Sequence, residues 1–120
     1  MYKSFRDMPV WQEAMDVAAE IYRVSELLPR EEKYGLRAQL RRAAASISAN
    51  IAEAFGRNHT RDKVNFYYYA RGSVNETQNH LLYAMRVGYL ESEEVSALDR
   101  RLDKIYGDLN KIIVSYKAKY

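Results

Sequence analysis

The sequence predicts an all-α protein, an antiparallel up-down-up-down four-helix bundle. Three observations predict it. Apolar residues recur at helical spacing along nearly the whole chain. Breakers are scarce: two Pro and five Gly occur in 120 residues, and no Pro lies beyond Pro29. The remainder is rich in Ala, Leu, Arg, Glu and Lys, all good helix formers. Long helices joined by short connections must lie antiparallel to their chain neighbours. A chain of this length forms one domain with a core that needs no disulfide or metal.

The first helix is expected over about residues 8–28. Trp11, Ala14, Met15, Ala18, Ile21, Tyr22, Ser25 and Leu28 lie on one stripe. Asp7 can cap its start, and Pro9 fits the first turn, where a missing N–H costs nothing. Pro29 ends it by pushing the preceding residue out of the α region. The second helix is expected over about 31–55. Its face is Leu36, Leu40, Ala43, Ala44, Ile47, Asn50, Ile51, Ala54 and Phe55. Glu31 and Glu32 suit the positive end of the helix dipole, and Gly56 suits a left-handed closing residue.

The third helix is expected over about 61–87, capped by Asn58 or Thr60, with Val64, Tyr67, Ala70, Val74, Thr77, Leu81, Ala84, Met85 and Gly88 inward. Tyr67, Tyr68 and Tyr69 point to three sides, so at least one faces outwards. The fourth, about 92–118, has Ser92 as its cap and the cleanest stripe: Val95, Leu98, Leu102, Ile105, Tyr106, Leu109, Ile112, Ile113 and Tyr116. Its opposite face carries Arg100, Arg101, Lys104, Lys111 and Lys117 among three aspartates.

The centre of the second helix is built of small residues, Ala43 to Ala54. A thin helix lets its neighbours come close. Ala45, Ala49 and Ala52 lie off the core stripe and leave a smooth outer strip. With Tyr67 and Tyr68 they make a complementary surface for another chain, against the plain alternative that Ala is simply a good helix former. Asn50 reads as part of a buried polar layer with Ser73, Glu76 and Thr77, fixing helix register as a buried Asn does in coiled coils.

Net charge is +3 but unevenly spread: residues 31–63 carry seven basic and four acidic groups, and 91–120 carry six of each. Arg37, Arg41 and Arg42 cluster at one end of the second helix. Arg57, Arg61 and Lys63 cluster at the other, and Arg71 follows on the third helix. Arginines at helical spacing can contact successive phosphates, and exposed Tyr67 or Tyr68 could stack on unpaired bases. The bland alternative is a solvated face.

Catalytic chemistry finds little material. There is no Cys, no Gly-rich phosphate loop, and only two His. His80 follows Glu76 by four residues rather than three, with no second copy, and His59 is in a loop. No catalytic residue, metal site or cofactor is assigned. No run is long and apolar enough to span a membrane, and the start has no signal core. The Asn58-His59-Thr60 glycosylation pattern is then chance. The expectation is a soluble cytoplasmic protein without a membrane partner.

Several stretches also resemble a known family. They are Phe5-Arg6-Asp7 followed by Val10-Trp11-Gln12; Glu32-Lys33-Tyr34-Gly35-Leu36; QLRRAAASISANIAEAFGR; and Ala70-Arg71-Gly72-Ser73 with Glu76. The chain is similar, over nearly its whole length, to the small four-helix-bundle proteins of intervening sequences in bacterial 23S rRNA genes, the S23-like proteins. The fourth helix matches only in pattern. The resemblance implies a left-handed bundle assembling as a ring-shaped homopentamer, and nucleic-acid binding without enzymatic activity. A related group serves as accessory subunit of diversity-generating retroelements, binding nucleic acid and a reverse transcriptase. Ser48 stands where the family usually has Pro, and Ala54 where it usually has Gly, which implies a straighter second helix. Two functions stand side by side: a homo-oligomeric RNA- or DNA-binding protein, and an adaptor whose main partner is another protein, such as a reverse transcriptase.

Overall fold

The computed structural model describes residues 1–120. It has no strand and four long helices: α1 (Pro9–Ser25), α2 (Leu36–Gly56), α3 (Thr60–Arg86) and α4 (Ser92–Lys117), with short 3-10 turns at Phe5–Asp7 and Arg30–Glu32. The four pack into a rod of 46 × 23 × 21 Å. Each packs on its chain neighbour, and α1 packs on α4 to close the circuit.

Cross-helix contacts show the directions. Between α3 and α4, Tyr67 stacks on Tyr116, Arg71 donates to Asn110 and Gln78 donates to Asp103, so numbers climb on one helix as they fall on the other. Lys63 at the start of α3 reaches the carbonyls of Ala54 and Phe55 at the end of α2. Arg41 near the start of α2 reaches Tyr22 and Ser25 at the end of α1.

Several element ends differ from the sequence expectation, each for a local reason. Met8, not Asp7, precedes α1, and no side chain caps it; Ser4 Oγ instead accepts the Arg6 amide of the preceding 3-10 turn. α1 stops at Ser25, because the amides of Glu26, Leu27 and Leu28 donate three residues back and tighten the chain towards Pro29. α2 does not begin at Glu31. That stretch is a 3-10 turn, and Gly35 bends the chain with φ −106° and ψ −108° before Leu36. Glu32 still serves the dipole, from outside the helix: its Oε1 accepts the Leu36 amide at 3.1 Å. Gly56 is helical, and the left-handed glycine is Gly88, at φ +88°. It closes α3 in a Schellman arrangement, with Tyr89 N–H on Ala84 O (2.8 Å) and Gly88 N–H on Met85 O (3.0 Å).

The core is one apolar cluster. α4 contributes Val95, Leu98, Leu102, Ile105, Leu109 and Ile113, and α3 contributes Val64, Tyr67, Ala70, Val74, Thr77, Leu81 and Ala84. On α1 the buried face turns slightly from the predicted one. Val10, Val17 and Val24 join Ala14, Ile21 and Ser25, while Met15 and Tyr22 are exposed. Each fully buried Leu or Ile contributes about 1.5–3 kcal/mol.

Candidate nucleic-acid interface

Apart from Arg71, the cations singled out in the sequence fall in two groups towards opposite ends of α2. Arg42 and Arg57 are fifteen positions apart on α2, about 22 Å at 1.5 Å per residue. Around Arg42 the guanidinium groups are committed to the fold. Arg37 donates to Leu28 O at 2.9 Å. Arg41 lies 3.7 Å from the centre of the Tyr22 ring, donates to Ser25 Oγ at 2.6 Å and pairs with Glu26. That pairing holds the Glu26 carboxyl below the usual carboxylate range. Arg42 alone of the three is exposed.

At the other end Arg57 pairs with Glu53 at 3.1 Å and lies over Phe66, its Nε buried without a partner. Lys63 caps α2 through two carbonyls, and burial pulls its pKa down. Arg61 is exposed, over the ring of Tyr120. Arg71 sits apart, midway along α3, donating to Asn110 at 2.8 Å beside Tyr68 and Tyr106.

Sequence reasoning missed what the antiparallel packing adds to this second end. The last turns of α4 lie beside the first turns of α3, and Lys117 Nζ is 3.2 Å from Tyr68 Oη. Lys117 and Lys119, both exposed, thereby join Arg57, Arg61 and Lys63, while exposed Lys111 lies further along α4, level with Arg71. Glu53, Asp62 and Asp108 are acidic side chains close to them in sequence, exposed Asp7 precedes the Met8 that lines the same end, and Asp108 is held by Lys104 at 2.9 Å. The charge balance of the last thirty residues is zero along the chain, so only the spatial arrangement reveals this gathering. At the same end an opening of about 530 Å³ separates the N-terminal residues from the end of α4.

The tyrosines divide differently from the expectation. Tyr67 is enclosed in the core, stacked on Tyr116 at 5.8 Å, so it offers no outer surface. Burial drives its phenol well above the usual tyrosine range, helped by Tyr116. Tyr68 turns towards α4. The exposed ring is Tyr69, edge-on to Phe66, with Tyr83 exposed further along α3. Phe66, Tyr69 and Ser73 share one face of α3 by spacing. Ser73 meets Ser46 of α2 at 2.7 Å. Ala45 and Ala49 are exposed on α2, Ala52 is half-buried, and a Cβ at Gly72 would meet nothing. The outer α2–α3 face is therefore low and flat, with aromatic rings standing on it.

The polar layer is also differently composed. Asn50 is half-buried and donates back to Ser46 O of its own helix at 2.9 Å, because its spacing places it at the edge of the stripe. Glu76 is exposed, 3.5 Å from His80. The layer consists of Ser46, Ser73 and Thr77, whose hydroxyl donates to Ser73 O at 2.7 Å. No three His, Asp or Glu side chains converge, and no helix is long and apolar enough to cross a membrane.

Comparison with known proteins gives a consistent picture. Residues 6–111 match the family model described as 23S rRNA-intervening sequence protein, so Lys117 and Lys119 fall outside the match. A crystal structure of a protein of unknown function from the S23 ribosomal protein family of Bacteroides thetaiotaomicron VPI-5482 is 26% identical. It covers 87% of this chain and 97% of that one, with a TM-score of 0.81. No curated protein matches the sequence.

Proposed function

Since the chain belongs to the 23S rRNA-intervening sequence protein family, we propose that it is a homo-oligomeric, non-enzymatic protein that binds RNA or DNA through its cationic end. The observation that supports this is the gathering of Arg57, Arg61, Lys63, Lys117 and Lys119 around one end of the rod, with Lys111 along the adjoining opening. Arg61, Lys117 and Lys119 are exposed and make the phosphate contacts. Arg57 and Lys63 hold the surface in place and add to its field. Repetition of the chain around a pentameric ring multiplies that field.

The experiment is binding of a labelled oligonucleotide followed against salt. Each phosphate contact contributes about 0.7–0.9 to the log–log slope. Arg61→Glu, Lys117→Glu and Lys119→Glu together should flatten the slope by about two units or more and weaken binding at least tenfold. An unchanged slope and affinity refutes the assignment. The α2–α3 face is the surface proposed for self-association. Ala49→Glu on that strip should lower the mass in solution towards that of one chain, and an unaltered mass removes the strip from the interface.

The exposed rings of Tyr69 and Tyr83 favour a second reading, an adaptor whose main partner is another protein, such as a reverse transcriptase. Co-purification of that partner from nuclease-treated lysate, lost in Tyr69→Ala, distinguishes it from the first.

A further inference from the structure

The opening at the cationic end is shaped for more than a passing backbone. It measures about 530 Å³, within the range of ligand sites, and its walls include Tyr2, Phe55, Tyr116 and Ile112. Lys111 and Lys119 line it too, and both are exposed. Aromatic and aliphatic walls exclude water from a planar apolar guest. Ammonium groups beside them select a guest that carries negative charge. Ser115 adds a hydroxyl able to donate or accept. Asp108 also lines the opening, and Lys104 pairs with its carboxylate at 2.9 Å, which offsets part of its repulsion for an anion.

We infer that this opening receives an unpaired base of the bound nucleic acid, so that the protein selects single-stranded or looped segments over duplex. The inference rests on the nucleic-acid-binding reading and specifies which strands that surface takes. A base offers a flat face for the rings, and the phosphates on either side of it meet Lys111 and Lys119. Stacking of this kind tolerates any sequence, because every base has a π-face. A fully paired duplex keeps its faces inside the stack, and opening it costs a few kcal/mol per base. Preference for unpaired segments follows from that difference.

The test compares a labelled single strand with its duplex under the same salt, using the full chain. The expected result is about tenfold or greater preference for the single strand. Ser115→Leu, at an exposed position lining the opening, should reduce that preference to about twofold while leaving duplex affinity and its salt slope unchanged. A strand carrying 5-iodouracil, irradiated in complex with the wild-type chain, should form its adduct on Tyr2 or Tyr116. That readout stands even if the leucine variant folds poorly. Equal affinity for strand and duplex, a preference that survives Ser115→Leu in a folded variant, or adducts only on other residues overturns the inference while leaving salt-dependent binding intact. Absence of salt-dependent binding to either form overturns the nucleic-acid reading itself, and this inference with it.

Discussion

Replacing Arg41 with Ala separates a cation that holds the fold from one that holds a ligand. Arg41 is three-quarters enclosed, with 23% of its side chain exposed, between α2 and the last turn of α1. Its guanidinium donates to Ser25 Oγ at 2.6 Å and to Tyr22 O at 3.3 Å, and covers the Tyr22 ring at 3.7 Å. Charge-assisted hydrogen bonds contribute about 1.5–3 kcal/mol, and a cation over a part-exposed ring about 0.5–1. Glu26 is 58% exposed, so its ion pair is screened by solvent and adds little. One guanidinium supplies all of these, so they do not add in full. Ser25 keeps an acceptor for its hydroxyl, the Tyr22 carbonyl at 2.7 Å, which limits the loss.

The expected cost of Arg41→Ala is about 2–3 kcal/mol, or roughly 10 °C in Tm for a domain of this size. Arg42→Ala, at the exposed neighbour, should stay within about 0.5 kcal/mol. The assay is urea and thermal unfolding by far-UV circular dichroism at one fixed protein concentration, because a midpoint that includes the proposed self-association would vary with it. The pH profile supplies an independent check. Arg41 lowers the folded-state pKa of Glu26, so the associated stability is present above the ordinary glutamate pKa, about 4.3, and is lost as pH falls through the folded value. Arg41→Ala should lose that part of the acid sensitivity. An Arg41→Ala variant as stable as wild type, or an Arg42→Ala variant equally damaged, refutes the reasoning.

Two further outcomes follow from the core. The Tyr67 phenol has its folded-state pKa raised by burial, so its contribution is complete below about pH 10 and is lost as pH rises towards the folded value; Tyr67→Phe should therefore give a shallower fall in urea midpoint between pH 9 and 11, and parallel falls in both proteins count against it. A hydroxyl carries one proton, so Ser46 donates to Ala43 O at 2.8 Å while Ser73 donates to Ser46; Ser73→Ala should cost about 1 kcal/mol in the same assay, and no cost once Ser46 is already Ala.

Helix identity was legible in the sequence because period and breaker scarcity are local properties. The α4 stripe from Val95 to Ile113 lies inward as its spacing demanded, as does the α3 stripe from Val64 to Ala84. Element ends were less legible. Glu31 and Glu32 look like a helix start, but Pro29 and Gly35 flank them closely, and a 3-10 turn resolves the conflict. The choice among Tyr67, Tyr68 and Tyr69 depends on which neighbour each ring meets, which spacing alone does not show. The candidate site was half legible for the same reason. Arg57, Arg61 and Lys63 are neighbours in sequence, whereas Lys117 and Lys119 reach them only through the pairing of α4 with α3. Nor does sequence tell a free guanidinium from one already hydrogen-bonded, as Arg37 and Arg41 are.

The contrast between α2 and α4 divides the molecule's tolerance of change. Half of the residues α2 buries are Ala or Ser: Ala43, Ala44, Ser48 and Ala54. Those α4 buries are all Val, Leu or Ile. Trimming a side chain on α4 opens a void at about 2–5 kcal/mol, whereas trimming at Ala43, Ala44, Ser48 or Ala54 has little left to remove. Enlarging one on α2 forces two backbones apart, at about 1–3 kcal/mol or more. A saturation mutagenesis map would therefore show α4 refusing loss of bulk throughout, and α2 alternating between sites that refuse its loss (Leu40, Ile47, Ile51) and sites that refuse its gain (Ala43, Ala44, Ala54).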